Sequence, residues 1–323
     1  MNSHVQGLVK QLEGKIPKKS SLIKKLMALL NISQDSVYRR LRGESEFTFS
    51  EIALIAKRYN LSIDSMLFKS TAATSFRFNT LFDESDSLFN YMDQLTRQME
   101  LLRNTKGHLT FVASELPISQ SFQNQTLREF KIFYWQKVVL NQDRLRGTKF
   151  TDDFGIGMNT NQFVDSLMNS YANIQKTEIW TEETLDDTLR QLTYCADSGL
   201  MDETMLKKVC QSIVDMLNRL EGELEMPSEV VGGSMLRFFV SSVELGNNVI
   251  LMNFGDLRTA YIKFNTFNTV STESPIFCTE IEKMVKSTLT KCVEISGKSD
   301  IHRHKYFNLL RRKVKTMCDQ YTR

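Results

Sequence analysis

The spacing of apolar residues over 20–43 is the feature of this sequence that most constrains its fold. Within residues 20–30, apolar side chains recur three and four positions apart, which predicts a helix with one apolar face. The members of this face are Leu22, Ile23, Leu26, Met27 and Leu30. Asn31 follows, and asparagine tolerates the left-handed conformation that ends many helices. We therefore expect a sharp turn of the chain at residue 31.

A second helix is predicted directly after this turn, over residues 34–42. Ser33 is a favourable N-cap, because its hydroxyl can accept a hydrogen bond from a backbone N–H of the first helical turn. Val37 and Leu41 lie four residues apart and so share one face, and Gly43 ends the helix. Two helices joined by a tight turn form a helix-turn-helix, whose second helix can lie in the major groove of DNA.

The opposite face of this second helix carries side chains that can contact DNA. Glutamine can pair with adenine, and arginine with guanine, through two hydrogen bonds each. Serine, tyrosine and arginine can also bind phosphates. The predicted DNA-contacting residues are Ser33, Gln34, Asp35, Ser36, Tyr38, Arg39 and Arg42. Arg40 is expected to add its charge to the same basic helix.

Further helices complete the N-terminal region. A helix beginning at Thr48 or Ser50 and a short helix over 62–67 follow the helix-turn-helix. Residues 32–43 resemble the recognition helix and closing glycine of the Cro/C1-type (XRE-like) helix-turn-helix family, and 48–67 resemble its fourth and fifth helices. The resemblance implies an all-α helix-turn-helix DNA-binding domain, which we place at residues 1–70.

Other segments extend the resemblance along the chain. Residues 37–44, 48–52, 113–118 and 129–135 are similar to segments of uncharacterised helix-turn-helix proteins of Bacteroidetes-type bacteria. The resemblance therefore implies a bacterial source, but it does not indicate a ligand for the remainder of the chain. Ile23 departs from the Cro/C1-type pattern, which usually has a phosphate-contacting glutamine at that position.

The charge distribution agrees with a nucleic-acid partner at the N-terminal end. The net charge of +3 divides into +6 over residues 1–70, −9 over 71–297 and +6 over 298–323. Such asymmetry is typical of proteins that contact nucleic acids or membranes. The basic tail is predicted to be a helix over 300–320. Its basic face has three candidate partners, the acidic body, a second subunit or DNA, of which packing on the body is favoured.

The region after the N-terminal domain has a different residue pattern, with predicted strands as well as helices. Residues 71–85 are predicted to form a linker, and residues 86–323 an α+β domain, rich in helix, with a small antiparallel sheet. Its clearest signal is a meander of three strands over 235–243, 248–253 and 259–266. The aromatic run Phe130–Trp135 is interpreted as core, with the wall of a ligand pocket as the alternative.

The sequence contains no motif that supports an enzyme, a cofactor or a metal site. The glycines at 155 and 157 follow no predicted strand and lack a third glycine, so they do not form a dinucleotide fingerprint. His302 and His304 lie too far along a helix from Cys318 to share one metal. The cysteines show no C-x-x-C spacing, and no apolar run is long enough to cross a bilayer. We therefore expect a cytoplasmic protein.

These observations predict a sequence-specific, DNA-binding transcriptional regulator. Residues 34–42 are expected to enter the major groove of double-stranded DNA, and the C-terminal domain to mediate dimerisation or effector sensing. A homodimer is expected because one helix-turn-helix reads only a half-site. The effector would be an unknown small molecule or protein. The alternative is a protein- or small-molecule-binding module that does not bind DNA.

Overall fold

The protein is described from a computed structural model. The described residues are 3–16, 18–59, 61, 63, 74–82, 87–156, 158–225, 236–297 and 299–321. The chain divides into two compact units. The head unit comprises Met1–Phe76 with Thr272–Phe277, and the body unit comprises Arg77–Ser271 with Cys278–Arg323. The helix predicted over 62–67, apart from residue 63, and residues 71–73 and 83–85 of the predicted linker fall outside the described residues.

The described head unit is built from short helices. They are α1 (Ser3–Lys15), α2 (Lys19–Leu30), α3 (Gln34–Arg42) and α4 (Phe49–Tyr59). Their apolar faces meet in one core that draws a residue pair or more from each helix, and this core includes Leu8, Leu12, Leu22, Leu26, Val37, Leu41 and Ile55. The helices predicted over 20–30 and 34–42 are thus confirmed as α2 and α3. Burial of one apolar stripe per helix holds these short helices together, since isolated helices of this length are marginal in water.

A mixed seven-stranded sheet forms the centre of the body unit. Its strands are β1 (His108–Ala113), β2 (Gln175–Trp180), β3 (Leu236–Ser241), β4 (Val249–Phe254), β5 (Leu257–Lys263), β6 (Thr269–Thr272) and β7 (Cys292–Glu294). Their order across the sheet is β6-β5-β4-β1-β2-β3-β7. β1 pairs in parallel with β2, and β2 with β3. β4 pairs antiparallel with β1 and β5, and β7 pairs antiparallel with β3.

The prediction of a small antiparallel sheet was therefore wrong. The expected meander is not one unit, because β3 lies beside β2 and is separated from β4 by both β2 and β1. Only β4 and β5 form the expected hairpin. β1 and β2 are buried along almost their whole length, as parallel strands covered on both faces are. The side chains of β2, polar from Gln175 to Glu178, lack the alternation of polar and apolar residues that indicates a half-buried strand.

Helices connect the parallel strands and surround the sheet. In chain order they are α5 (Ser87–Asn104), α6 (Ile118–Ser121), α7 (Gln125–Tyr134), α8 (Met158–Ala172), α9 (Asp186–Asp197), α10 (Glu203–Glu225), α11 (Pro275–Leu289) and α12 (Asp300–Tyr321). α5 packs against α8, and α10 against α12. Helix α7 continues into a π-helical turn over Trp135–Val139, in which the N–H of Leu140 donates to the carbonyl of Trp135 over 2.8 Å. Over the described residues, no helix is long and apolar enough to span a bilayer.

The basic tail packs on acidic side chains of the body. Glu221 of α10 accepts hydrogen bonds from Arg311 over 2.7 Å and lies 2.6 Å from Nδ1 of His304. Lys313 donates to Asp186 of α9 over 2.8 Å. Arg303 is almost fully buried and donates to the carbonyl of Gly297 over 2.7 Å. Of the three partners considered for this helix, the acidic body is therefore confirmed for these side chains.

Candidate nucleic-acid interface

The turn between α2 and α3 is set by two residues with different backbone conformations. Asn31 has φ 53° and ψ 47°, and its N–H donates to the carbonyl of Met27. This left-handed conformation ends α2, and asparagine adopts it at low cost. Ser33 then returns to extended backbone, with φ −67° and ψ 157°. The chain thus reverses within three residues and starts α3 directly.

Hydrogen bonds define both ends of α3. Oγ of Ser33 accepts from the backbone N–H of Ser36 over 3.2 Å, as an N-cap does, and lies 2.9 Å from Oγ of Ser36. At the other end Gly43 has φ 74°, a conformation that glycine adopts without strain, and its N–H donates to carbonyls of the last turn. Ser33 and Ser36 therefore shape the start of the helix, and both hydroxyls lie at its positive end.

One face of α3 is locked to the head unit. Val37 is completely buried and Leu41 nearly so. Beside them, Arg40 forms an ion pair with Glu51, with 3.0 Å between Nη2 and Oε1. Arg40 is therefore committed to α4, and the expectation that it adds a free charge to the basic helix was wrong.

Glu51 is also part of a capping box at the start of α4. Its Oε2 accepts from the N–H of Thr48 over 2.8 Å, and its own N–H donates to Oγ1 of Thr48 over 3.2 Å. Burial raises the pKa of Glu51, but the hydrogen bonds from Thr48 and Arg40 outweigh it and leave that pKa below its ordinary value. The spacing Thr48-x-x-Glu51 is the sequence signature of this box and could have identified Thr48 as the N-cap.

The remaining face of α3 is open to solvent. Gln34, Asp35, Arg39 and Arg42 are exposed, and Tyr38 is half-buried. Tyr38 packs on the head core. The guanidinium of Arg42 lies 5.6 Å from the centre of the Tyr38 ring, within the range of a cation–π contact. Nη1 of Arg42 also lies 3.5 Å from Oε1 of Glu44.

Three predicted contact residues on this face have no partner among the described residues. In that part of the chain, the side chains of Gln34, Asp35 and Arg39 form no hydrogen bond or ion pair. Ile23, by contrast, is buried in the head core and is not available to a phosphate. The structure therefore brings Gln34, Asp35, Arg39 and Arg42 to one accessible surface, with Tyr38 as the apolar support of Arg42.

A short turn, a capped second helix and an exposed polar face on that helix define a helix-turn-helix domain. Residues 5–83 match the family model of the BetR domain, which is a helix-turn-helix type of DNA-binding domain. The match includes α1 to α4 and leaves the sheet of the body unit outside. Comparisons with curated proteins and with solved structures returned no match.

Proposed function

We propose that this protein is a sequence-specific transcriptional regulator of the Cro/C1 type that inserts α3 into the major groove of DNA. The observation that carries the proposal is the asymmetry of α3. Val37, Leu41 and Arg40 hold one face against the head unit, and the opposite face presents uncommitted polar side chains. The match of residues 5–83 to a DNA-binding domain family supports the same role.

Each exposed residue of α3 has a contact that its chemistry favours. Gln34 would pair with adenine and Arg39 with guanine, and Asp35 would accept from the amino group of cytosine. Arg42, held beside Tyr38, would contact phosphate or guanine. Ser33 and Ser36 would direct hydroxyls and backbone N–H groups of the helix N-terminus at a phosphate.

The body unit completes the proposal in two ways. We assign it dimerisation, because a single helix-turn-helix reads one half-site and regulators gain specificity from two. We also assign it the sensing of an effector. The protein would act by binding and not by catalysis. A bacterial cytoplasm is the proposed location, and it agrees with the five free cysteines, which a reducing compartment preserves.

The test is selection of bound duplexes from a random DNA library with the full-length protein, followed by gel-shift titration of the selected site. We expect binding that weakens with salt, with a log–log slope of about −0.9 for each phosphate neutralised. The double variant Arg39→Ala with Arg42→Ala should weaken binding at least about tenfold, since each lost base contact costs about 1–3 kcal/mol.

The matched control removes two exposed cations from α12, Lys305→Ala with Lys315→Ala, so that both variants lose the same net charge. Only the α3 variant should lose the selected site. Equal losses in the two variants would reject α3 as the interface. If no duplex is retained at low salt and a protein partner is captured instead, the alternative of an interaction module without DNA binding replaces the proposal.

A further inference from the structure

The body unit contains a cavity with about 90 Å³ of free space. That is several times the free volume needed to hold one water molecule. Its walls come from strands β1, β4 and β5 and from helices α5, α7 and α8. The cavity therefore lies between the sheet and the helices that cover it.

Most of the cavity wall is apolar. Trp135, the first residue of the π-helical turn, is stacked on Phe267 with 4.7 Å between ring centres. Leu95, Met99 and Met252 also face the space. Methionine side chains adapt their shape to a ligand, and aromatic rings offer large flat contact surfaces. Walls of this kind favour an alkyl chain or an aromatic ring.

One charged group lies in this wall without an opposite charge in contact. Lys131 of α7 is 5% exposed. Its Nζ donates to Oγ1 of Thr188 over 2.7 Å and to Oε1 of Gln191 over 2.8 Å. Both acceptors are neutral, and among the described residues no carboxylate lies within 4 Å of this ammonium. An ammonium has three N–H donors, so one remains for a further acceptor.

The acidic side chain of the cavity wall is already paired. Glu115 also lines the cavity, and its Oε2 lies 2.6 Å from Nζ of Lys263. Its Oε1 accepts from Nδ2 of Asn248 over 2.8 Å. Asp187, the other carboxylate whose charge acts on Lys131, is paired with Arg190. Because Lys263 balances Glu115 and Arg190 balances Asp187, the charge of Lys131 is the one that a ligand would balance. Burial of an ammonium is costly unless an anion compensates it.

We propose that this cavity binds an amphipathic carboxylic acid. Its alkyl or aromatic part lies along Trp135 and Phe267, and its carboxylate accepts a hydrogen bond from Nζ of Lys131. The proposal names the chemical class of the effector assigned to the body unit above. Binding of the acid does not depend on the proposed function, but a regulatory role of the acid does.

The experiment titrates the full-length protein with decanoate and, separately, with 1-decanol, and follows tryptophan fluorescence and calorimetric heat. The two ligands have the same chain length and differ in charge, so the ratio of their dissociation constants isolates the head group. We expect decanoate to bind at least about tenfold more tightly, the range for a charged hydrogen bond. Lys131→Met, which keeps the length of the side chain, should bring this ratio close to one.

Lys149→Met is the control, because Lys149 is exposed and lies outside the cavity wall. It should keep the wild-type ratio. A wild-type protein that shows no preference for the acid, or binds neither ligand, overturns the proposal. So does a Lys131→Met protein that melts cooperatively and still prefers the acid. If Lys131→Met does not fold, Phe267→Leu tests the wall instead and should weaken both ligands alike, and unchanged binding there overturns the site.

These titrations contain no DNA, and the gel shift with α3 variants contains no acid. A failed titration therefore leaves the proposed DNA binding intact, and a failed gel shift leaves the cavity assignment intact. If both succeed, adding decanoate to the gel shift measures whether the effector alters DNA affinity.

Discussion

The buried ammonium of Lys131 makes a quantitative prediction about stability. Burial lowers the pKa of Lys131 from its ordinary 10.5 to about 8, and the negative charge of Glu115 opposes this only in part. A lowered pKa means that the folded protein disfavours the charged lysine relative to the unfolded chain. At about 1.4 kcal/mol per pKa unit, the difference between 10.5 and about 8 corresponds to about 3 kcal/mol.

The sign of the pH dependence follows from proton counts. Below pH 8 the lysine is protonated in both states, and the full cost of burying the charge is present. Between pH 8 and 10.5 the unfolded chain still holds a proton that the folded protein has lost, so the free energy of unfolding rises with pH. From pH 7 to 9.5 the expected rise is about 2 kcal/mol.

The assay is urea unfolding of the wild type and of Lys131→Met at several pH values over this range. Other groups that titrate there, including Lys176, whose pKa burial also lowers to about 8, are common to both proteins and cancel in the difference. The wild type should gain about 2 kcal/mol relative to the variant. Parallel curves would show that Lys131 is not charged and buried as described, and would refute the reasoning.

Three further predictions concern other sites. Gly107→Ala should destabilise the body unit by about 1–3 kcal/mol in urea unfolding, because a Cβ there would clash with the carbonyl oxygen of Asn253 unless the backbone shifts. Ser33→Ala should cost about 1 kcal/mol in thermal unfolding by removing the cap of α3, and Ser33→Gly should cost less. Burial raises the pKa of Glu178, so wild-type stability should fall as pH rises above about 4.5, and Glu178→Gln should flatten that fall in unfolding measured between pH 4 and 7.

Local signals explain why the head unit was predictable from sequence. The turn at Asn31, the cap at Ser33 and the stop at Gly43 each act within a few residues, and each appears in the structure with the expected conformation. The pair Arg40–Glu51 was missed because its partners lie on different helices, eleven residues apart. The one local signal that involves Glu51 is the capping-box spacing of Thr48 and Glu51.

The sheet was mispredicted because its pairings are not local. Thr110 of β1 faces Thr177 of β2, and Thr177 faces Arg237 of β3. Helices separate each pair, and no residue pattern records which strand will lie beside which. The edge strand β7 shows the same limit at short range: α11 ends at Leu289, and Cys292–Glu294 already pair with β3. The residues between them, Thr290 and Lys291, carry no glycine or proline that would separate a helix from a strand.

The cavity, like the sheet, depends on contacts between residues far apart in the sequence. The aromatic run Phe130–Trp135 serves both interpretations that the sequence allowed. Phe130 and Phe133 pack on Phe150 in the core, and Trp135 faces the cavity. Lys131, inside this run, has its acceptors on α9, about sixty residues further along the chain. The hydrogen bonds that hold Lys131 therefore could not be predicted from the residues around it in the sequence.

The π-helical turn over Trp135–Val139 has a consequence for the length of the chain. A π turn closes over five residues where an α turn closes over four, so it stores one surplus residue inside a helix. Removing one residue here would return the end of α7 to regular α-helical winding and would move the start of the following loop relative to Trp135. A chain one residue shorter at this point would therefore present a differently shaped cavity beside Trp135, with the sheet unchanged. Length variation within this one turn is a route by which proteins of this architecture could acquire different ligands.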